Sequence, residues 1–514
     1  MATAQRERIS GVDTAWLRMD QPTNLMMIVG VMMFDGKVDL RKVRKVIAAR
    51  FLAFRRFGQC AVQDAAGAWW QADEGFDIHA HVLRATLPGA AGKEELEAFV
   101  SELASTPLDP SRPLWQFHVI DNYQGGSALV TRIHHCYADG IALIQVMLSM
   151  THATAEGSLA MAPEAIESSA SGEADFWAQI LKPVAGVLGN AKEIGKGLLE
   201  QGKSLAARPS MAGEALQGIA GKGMELAGEV AKLMTMGADA PTRFKGPLGT
   251  KKTVAWADPL PLAEVKAVGK ALGCSINDVL LSMAAGALRD YLLDKGDTVH
   301  ALEIRAIVPV NLRPSGAGKS LGNQFGLVFL DLPVGMEHPL ERVYNVRSRM
   351  QALKGSYQPA IALALLSAVG YGPRVLQEQV THLLGANASA VMTNVPGPQH
   401  PLYFAGKRIA ELDFWVPQSG GIGMGVSILS YDGRIQFGVI TDAGLVPDPD
   451  RIVGRFGEEF DKLLWLTLMS PWTEDEPAVP AKPAPATVKP GAGTQSKRKK
   501  KAIEAKVPKR FRNL

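Results

Sequence analysis

Length, composition and charge exclude several classes of protein. The chain has 514 residues, of which 47% are hydrophobic and 21% charged, so it is not a wholly disordered protein. Its three cysteines exclude a disulfide-stapled scaffold and a cysteine-rich zinc module. Residues 497–514 contain nine of the 55 basic residues and only one of the 51 acidic residues. Residues 1–496 therefore carry a net charge of −4, which does not indicate nucleic-acid binding.

No run of apolar residues is long enough to predict a membrane-spanning helix, which needs about 18–20 residues. The first residues, MATAQRERIS, lack the charged and then apolar pattern of a signal peptide. We therefore expect a cytoplasmic protein that is either soluble or peripherally attached to a membrane.

Residues 1–152 are predicted to form a first α/β domain. Apolar residues at three- and four-residue spacing predict a helix over 40–57. A Gly-Gly turn followed by β-branched and apolar residues predicts a strand over 126–133, and the apolar run over 141–150 predicts a buried helix. The polar loop that joins this strand to this helix carries the most distinctive motif of the chain.

Residues 153–245 differ in composition and are predicted to connect two domains. They are rich in Ala, Gly, Ser and Lys, and an apolar stripe over 176–200 predicts a weak helix interrupted by glycines. Such a stripe is typical of a surface helix packed on its own protein. The alternative is an amphipathic face that contacts lipid.

From residue 246 to residue 475 the chain again alternates strands and helices. The predicted helices span 260–272, 277–294, 338–354, 359–384 and 452–469, and the predicted strands span 302–310, 389–395, 422–430 and 434–441. The two stretches together predict a two-domain α/β protein in which helices cover each sheet.

The end of the chain, residues 476–514, is predicted to be a disordered tail. Residues 476–496 are rich in Pro and Ala and cannot form a packed core, and the basic stretch follows them. A solvated tail is one interpretation. Contact with an anionic lipid surface or another polyanion is the alternative.

The loop between the strand over 126–133 and the following helix reads HHCYADG at residues 134–140. Its histidines, aspartate and glycine arrive together on one turn, which favours a chemical role over a chance pair of buried histidines. An imidazole near its usual pKa of about 6.5 can take a proton from an alcohol at neutral pH. Asp139 stands where it can cap the helix by accepting backbone N–H bonds, or pair with an arginine.

Two other chemistries fit this loop poorly. Adjacent histidines cannot easily face one metal ion, and the chain has no H-E-x-x-H spacing, so no metal site is predicted. No G-x-S-x-G nucleophile elbow accompanies the loop. The pattern therefore favours one histidine acting as general base, without a covalent intermediate.

HHxxxDG is the signature of the CoA-dependent acyltransferase superfamily, and further segments narrow the resemblance. Over about residues 9–470 the chain resembles the bacterial wax ester synthase/acyl-CoA:diacylglycerol acyltransferase family, with the motifs in the family's order. The similar segments are Pro113-Leu114-Trp115 (PLW), Asn277-Asp278 (ND), residues 308–313 (VPVNLR), Gly322-Asn323 (GN) and residues 394–398 (NVPGP). The opening of the chain, with Ser10 and Asp13, is also similar.

The resemblance implies two chloramphenicol-acetyltransferase-like domains, each a mixed sheet with helices, around a central tunnel. It makes His135 the expected general base, and it leaves His134 to shape the loop or the tunnel wall. Asp139 is expected to be structural, with Arg313 as its partner. Gly140 is expected to let the backbone turn tightly.

The remaining motif residues are expected to support the site. Asn277 and Asp278 open a predicted helix, which they could cap, and the resemblance suggests a place at the tunnel. Pro113, Leu114 and Trp115 are expected to pack rather than to take part in the chemistry.

The resemblance implies that the chain transfers an acyl group from acyl-CoA to a long-chain alcohol or a diacylglycerol, which gives wax esters, triacylglycerols or both. Acyl-CoA is then a substrate, and no cofactor is expected. The inner membrane and lipid inclusions are the expected surface partners, and nucleic acid is not expected. The alternatives are an acyltransferase for another lipid alcohol and a non-catalytic lipid-binding or lipid-body coat protein.

Overall fold

The computed structural model describes residues 6–64, 67–160, 236–312, 321–353, 358–371, 385–418 and 420–470. Several sequence predictions lie outside the described residues. They are the apolar stripe over 176–200, the tail over 476–514, Arg313 and the second half of the helix over 359–384.

The described residues form both β-strands and α-helices. The strands are β1 (Glu7–Arg8), β2 (Met27–Phe34), β3 (Gln59–Asp64), β4 (Gly67–Ala72), β5 (Val82–Ala85), β6 (Trp115–Ile120), β7 (Ser127–His134), β8 (Lys252–Trp256), β9 (Leu260–Pro261), β10 (Ile304–Asn311), β11 (Phe325–Leu332), β12 (Ala390–Pro396), β13 (Tyr403–Phe404), β14 (Lys407–Trp415), β15 (Met424–Tyr431) and β16 (Arg434–Asp442). The α-helices are α1 (Gly11–Met19), α2 (Leu40–Val46), α3 (Ile78–His81), α4 (Lys93–Ser105), α5 (Gly140–Ser149), α6 (Leu262–Leu272), α7 (Ile276–Asp294), α8 (Pro339–Leu353), α9 (Gln358–Tyr371) and α10 (Asp450–Leu468).

Two large mixed sheets carry the architecture. The first has the strand order β13-β14-β2-β7-β6-β5, and the second has the order β11-β10-β12-β15-β16-β8, with β9 also paired to β16. Most neighbours are antiparallel, whereas β5 with β6, β10 with β12, and β12 with β15 are parallel. A third, small sheet has the order β1-β4-β3. This confirms the predicted mixed α/β fold.

The first sheet draws strands from both halves of the chain. β14 pairs antiparallel with β2 along most of its length, and β13 pairs with β14 at the edge of the same sheet. Residues 403–415 thus cover an edge of the sheet that carries the HHxxxDG motif. The predicted domain boundaries at 152 and 246 stay predictions. Two strands of the second half, β13 and β14, belong to the sheet of the first half.

The strand β7 lies in the centre of the first sheet, between β2 and β6. Every residue of Ser127–His134 is buried, because both faces of the sheet are covered. Leu129 and Ile133 face one apolar core, and Ala128 and Val130 face another. Such two-sided burial explains why its sequence shows no clean alternation of polar and apolar residues.

The predicted strand and helix around the HHxxxDG motif are confirmed by β7 and α5. The single helix predicted over 40–57 is wrong in its second half, because α2 ends at Val46 and a π-helical turn, Ile47–Phe51, follows. In that turn Phe51 stacks on Phe57 with ring centroids 3.9 Å apart, and the buried Arg50 donates to the carbonyl oxygen of Thr151 at 3.2 Å. Tertiary contacts decide the backbone here, which periodicity could not show.

None of the described helices is by itself long and apolar enough to cross a membrane. By length and composition alone, one adjacent pair, α6 and α7, passes that test jointly, with a bend of 100° between its members.

Candidate active site

The HHxxxDG loop, residues 134–140, is anchored at both of its ends. At its start, the last residue of β7, His134, pairs with Met27 of β2. At its end, Asp139 is the N-cap of α5, and its Oδ1 accepts a hydrogen bond from the backbone N–H of Ala142 at 2.9 Å. The predicted helix cap is therefore present, and it sets the direction in which α5 leaves the loop.

The backbone of His135 is held on both sides. Its N–H donates to the carbonyl oxygen of Met26 at 2.7 Å, and its own carbonyl oxygen accepts from Nδ2 of Asn323 at 2.9 Å. The first contact comes from the start of β2, and the second comes from the segment that leads into β11. The residue thus lies where the two halves of the chain meet.

The imidazole of His135 lies in an aromatic environment. The residue is 5% exposed, and its ring stacks on Trp16 with centroids 4.2 Å apart and an interplanar angle of 25°. Phe325 approaches from another side, with a centroid distance of 5.8 Å. Trp16 comes from α1 and Phe325 from β11, so elements far apart in sequence enclose the ring.

Burial lowers the pKa of His135 to about 4, and the charge of Asp139 and a hydrogen bond with Asn323 oppose that effect only in part. The sequence suggested an imidazole near its ordinary pKa of about 6.5. The difference arises because the charged form loses its hydration in this enclosed place. The ring is therefore neutral at pH 7 and has a free lone pair with which to accept a proton.

His134 is engaged within the loop. Its Nδ1 accepts a hydrogen bond from the backbone N–H of Cys136 at 3.1 Å, which places the ring proton on Nε2. That Nε2 lies 3.7 Å from Oδ1 of Asp20. The contacts of His134 are therefore those of a group that holds the shape of the loop.

Asp139 joins the loop to the second half of the chain. Its Oδ2 accepts from the backbone N–H of Gln324 at 2.9 Å, while Oδ1 caps α5. Ala138 and Gly322 form a parallel bridge beside it. The predicted partner of Asp139, Arg313, lies outside the described residues, so that pairing stays a prediction.

Gly140 does not need the conformational freedom of glycine. Its backbone lies outside the left-handed region, and a Cβ built there would meet no atom of the described residues within 4 Å. The predicted reason for this glycine, a tight turn, is therefore wrong. The open space beside Gly140, at the first residue of α5, offers room for the backbone to approach a ligand closely.

The PLW segment, residues 113–115, is hydrogen-bonded to the HHxxxDG loop. The backbone N–H of Leu114 donates to Oη of Tyr137 at 3.0 Å, and the carbonyl oxygen of Leu114 accepts from the backbone N–H of His134 at 3.0 Å. The indole of Trp115 donates to the carbonyl oxygen of Phe57 at 2.8 Å. Pro113 precedes them, and its carbonyl oxygen accepts from the N–H of Trp115 at 2.8 Å. These contacts agree with a packing role, which stays a prediction.

Asn277 and Asp278 lie at the start of α7. Asp278 forms a capping box with Ser275, in which each side chain accepts from the backbone N–H of the other residue, at 2.8 and 3.1 Å. Asn277 accepts a hydrogen bond from Nδ2 of Asn394, which belongs to the NVPGP segment in β12. The ND and NVPGP motifs are thereby joined to each other, and a place for them at a tunnel stays a prediction.

Sequence reasoning missed several residues that surround His135. Trp16 was not singled out, and Asp13 and Asn323 were noted only as parts of similar segments. The spacing Ser10-x-x-Asp13 signals a helix start, and Oγ of Ser10 does accept from the N–H of Asp13 at 3.1 Å. No pattern along the chain, however, shows that α1 packs on the HHxxxDG loop.

Within the described ranges, no group of three or more His, Cys, Asp or Glu side chains is placed to hold a metal ion.

Comparison with known proteins gives the family. The protein-family model of the wax ester synthase/diacylglycerol acyltransferase catalytic domain matches residues 9–280. The model of the WS/DGAT C-terminal domain matches residues 321–464. The first match alone covers more than half of the chain, and the HHxxxDG loop lies inside it.

Mycobacterial proteins are among the similar sequences. The chain is 28% identical over 416 residues to a probable diacylglycerol O-acyltransferase of Mycobacterium tuberculosis, which covers 79% of this chain and 84% of that protein. It is 27% identical over 486 residues to a putative diacylglycerol O-acyltransferase of the same species, with coverage of 90% and 91%.

A solved structure shares the fold. The wax ester synthase/diacylglycerol acyltransferase from Marinobacter aquaeolei VT8 matches with a TM-score of 0.62 and 20% identity, covering 90% of this chain and all of that one. A trichothecene 15-O-acetyltransferase from Fusarium sporotrichioides matches with a TM-score of 0.56 and 12% identity, covering 89% of this chain and 95% of that one. The chain belongs to the wax ester synthase/diacylglycerol acyltransferase family and is an acyltransferase.

Proposed function

We propose that this acyltransferase moves a long-chain acyl group from acyl-CoA to the hydroxyl of a long-chain alcohol or a diacylglycerol, with His135 as general base. The observation that carries the proposal is the neutral, enclosed imidazole of His135 at the end of β7, which has a pKa of about 4. The names of the similar proteins support the acceptor classes, since they refer to wax esters and diacylglycerol.

The proton transfer is assigned to Nε2 of His135. Nδ1 is fully enclosed by protein, so Nε2 is the nitrogen left for a substrate. Nε2 takes the hydroxyl proton while the acceptor oxygen attacks the thioester carbonyl carbon. The carbon–sulfur bond of the resulting tetrahedral species then breaks, and the imidazolium returns the proton to the departing CoA thiolate. The enzyme ends in its starting state, with no bond to the acyl group.

The low pKa of His135 has two opposite effects on this step. It keeps the base deprotonated at physiological pH, which favours the starting state. It also makes the imidazolium that forms during attack less stable. The stacked indole of Trp16 and the carboxylate of Asp139 both favour a positive ring, so they offset part of that cost when the proton arrives.

Covalent catalysis by Cys136 is a poor alternative. This residue is fully buried, and burial raises the pKa of its thiol well above the ordinary value. A thiol that stays protonated is a weak nucleophile. The direct attack of the acceptor on acyl-CoA is therefore the favoured route, and acyl-CoA serves as substrate without a further cofactor.

Two other functions remain alternatives. An acyltransferase of the same fold could use another lipid alcohol, because acceptor choice depends on residues that line the binding space rather than on His135. A catalytically silent lipid-body coat protein is the other alternative, and it is disfavoured because the chain belongs to an acyltransferase family. For the proposed function and for both alternatives, we propose a cytoplasmic protein that attaches peripherally to the inner membrane or to lipid inclusions.

Thiol release from palmitoyl-CoA tests the proposal. Wild-type protein is assayed with hexadecanol, dioleoylglycerol and short alcohols, and the esters formed are identified by mass spectrometry. We expect turnover with at least one of the two long-chain acceptors. His135→Ala should lower kcat by about 10²–10⁴-fold, the usual range for loss of a general base.

His300→Ala serves as the matched control, since His300 is exposed and should be replaceable without effect. Circular dichroism confirms that each variant is folded. Turnover of a short alcohol alone would favour the acyltransferase for another acceptor. No thiol release with any acceptor would favour the coat protein, and full activity of folded His135→Ala would contradict the role of this histidine.

A further inference from the structure

A chain of buried hydrogen bonds runs from α1 through Asn323 to His135. Nδ2 of Asn323 donates to Oδ1 of Asp13 at 2.7 Å and to the carbonyl oxygen of His135 at 2.9 Å. The backbone N–H of Asn323 donates to the same Oδ1 of Asp13 at 3.0 Å. Asp13 and Asn323 are 2% and 6% exposed, so water does not compete for these bonds.

The orientation of the Asn323 amide is fixed by its partners. The backbone carbonyl oxygen of His135 can only accept, and Oδ1 of Asp13 already accepts from the backbone N–H of Asn323. The NH₂ group must therefore face them, because the amide oxygen could not donate to either. One small side chain thus connects the anchor residue Asp13 to the backbone of His135.

The hydrogen bond at the carbonyl of His135 complements the one at its N–H. Met26 accepts from the N–H at 2.7 Å, and Asn323 donates to the carbonyl oxygen. Fixing both peptide groups fixes the direction in which Cβ leaves the backbone. Proton transfer needs an imidazole held within a fraction of an ångström of its productive place, so this control matters for rate.

The amide oxygen of Asn323 lies in the same buried region. Oδ1 of Asn323 and Nδ1 of His135 are both buried, and neither accepts or donates a hydrogen bond among the described residues. Hydrogen bonding with Asn323 nevertheless opposes the effect of burial and raises the pKa of His135.

Asp13 takes part both in this network and in the start of its own helix, where it is hydrogen-bonded to Ser10. It is the third residue of α1, where an acidic side chain commonly reaches back to the cap residue. Its Oδ1 also accepts both bonds from Asn323, and its Oδ2 lies 4.0 Å from Nη1 of Arg56. One helical turn later the same helix supplies Trp16, which stacks on His135.

We propose that Asn323 is a positioning residue for His135, and that Asp13 anchors it through two hydrogen bonds to one carboxylate oxygen. The inference rests on the proposed role of His135 as general base. It assigns α1 and the GN segment a joint task, which is to hold the imidazole in the orientation that leaves Nε2 open to the hydroxyl.

Steady-state kinetics with palmitoyl-CoA and hexadecanol or dioleoylglycerol, whichever the wild type uses, test the proposal. Asn323→Ala and Asp13→Ala should each lower kcat about 10- to 100-fold, as expected for a misplaced base, with KM within about threefold of wild type. Asp13→Asn should keep kcat within about threefold, because an amide oxygen can still accept both bonds. The double variant Asp13→Ala/Asn323→Ala should be no slower than the worse single variant.

The comparison of Asp13→Asn with Asp13→Ala separates positioning from a general structural or charge effect. Neither variant carries a charge at position 13, and only the alanine removes the acceptor. Wild-type kcat in folded Asn323→Ala would overturn the proposal, and so would equal losses in Asp13→Asn and Asp13→Ala. If Asn323→Ala does not fold, the Asp13 pair decides.

Failure of this inference differs from failure of the proposed function. Loss of turnover in His135→Ala together with full turnover in Asn323→Ala would remove only the role of Asn323. Retained turnover in His135→Ala would instead remove the general base, and the role of Asn323 with it.

Discussion

At the scale of single residues, the environment of His135 differs from what its sequence motif suggests. The motif identifies a histidine but does not report its pKa, which depends on how far water is excluded. Burial against Trp16 and Phe325 lowers that pKa to about 4. The same enclosure keeps the base neutral and leaves the acceptor hydroxyl with little competing water.

The pH dependence of kcat/KM should therefore be shifted to the acid side. The neutral form of His135 is active and its pKa is depressed, so activity is lost only as pH falls towards about 4. At pH 5.5 we expect more than nine-tenths of the plateau value, whereas an imidazole with an ordinary pKa of about 6.5 would leave about one-tenth. The measurement is kcat/KM between pH 5 and 8. A half-maximum near pH 6.5 would contradict the depressed pKa.

The stacking of Trp16 on His135 should contribute to rate. Trp16→Leu removes the aromatic face that orients the ring and favours its charged form, and we expect kcat to fall up to about tenfold, as a stacking energy of about 0.5–1.5 kcal/mol implies. Trp16→Phe keeps an aromatic face and should lose less. Equal kcat in the two variants would show that stacking has no part in turnover.

At the scale of elements, a buried ion pair joins the helices that cover the second sheet. Arg342 of α8 and Glu459 of α10 are each 1% exposed and form a hydrogen-bonded salt bridge. Nε of Arg342 also donates to the carbonyl oxygen of Ser282 in α7 at 3.1 Å. A Cβ at Gly286 of α7 would meet both charged groups within 2.6 Å, so the pair fills the space that this glycine leaves.

Breaking this pair on one side should cost more than replacing it. Glu459→Gln leaves the guanidinium of Arg342 buried without its countercharge, and we expect the free energy of unfolding to fall by about 3 kcal/mol. Arg342→Met/Glu459→Leu removes both charges and should cost less. Urea unfolding followed by circular dichroism measures both. A double variant that is less stable than Glu459→Gln would contradict this account.

At the scale of the whole molecule, the site depends on contacts between the two halves of the chain. The HHxxxDG loop comes from the first half, while Asn323 and Gln324, which bind its backbone and its Asp139, come from the second. The pairing of β14 with β2 joins the halves a second time. The placement of the base is therefore a property of the assembled fold and not of the loop alone.

The charge distribution along the chain predicts a separate property. Removal of the residues after Glu476 takes away the basic stretch at 497–514. We expect the shortened protein to keep its turnover on dispersed substrate and to lose salt-sensitive binding to anionic vesicles, because this binding depends on the cluster of Lys and Arg.

A full-length variant with the nine Lys and Arg of 497–514 changed to Gln is the matched control for that truncation. It keeps the length of the tail and removes its charge. Vesicle sedimentation at low and high salt provides the measurement. Binding of both variants as tight as that of the intact protein would exclude a role for the tail.

The sequence by itself determined much of the secondary structure and the motif from which the family resemblance was inferred. Periodicity located β7, α5 and most later elements, since side-chain spacing reports which face of a segment is buried. The N-cap at Asp139 was also readable, because a cap is a contact between neighbours in sequence. Residue type and order in HHxxxDG pointed to a histidine base.

Only the tertiary structure decided what surrounds that histidine. Trp16, Asp13 and Asn323 lie far from His135 along the chain, and no local pattern encodes their meeting. The tight-turn explanation of Gly140 failed for a similar reason, since the space around a residue depends on the elements packed beside it. Burial and long-range pairing set the pKa and the orientation of the base, and both arise only when distant segments are brought together.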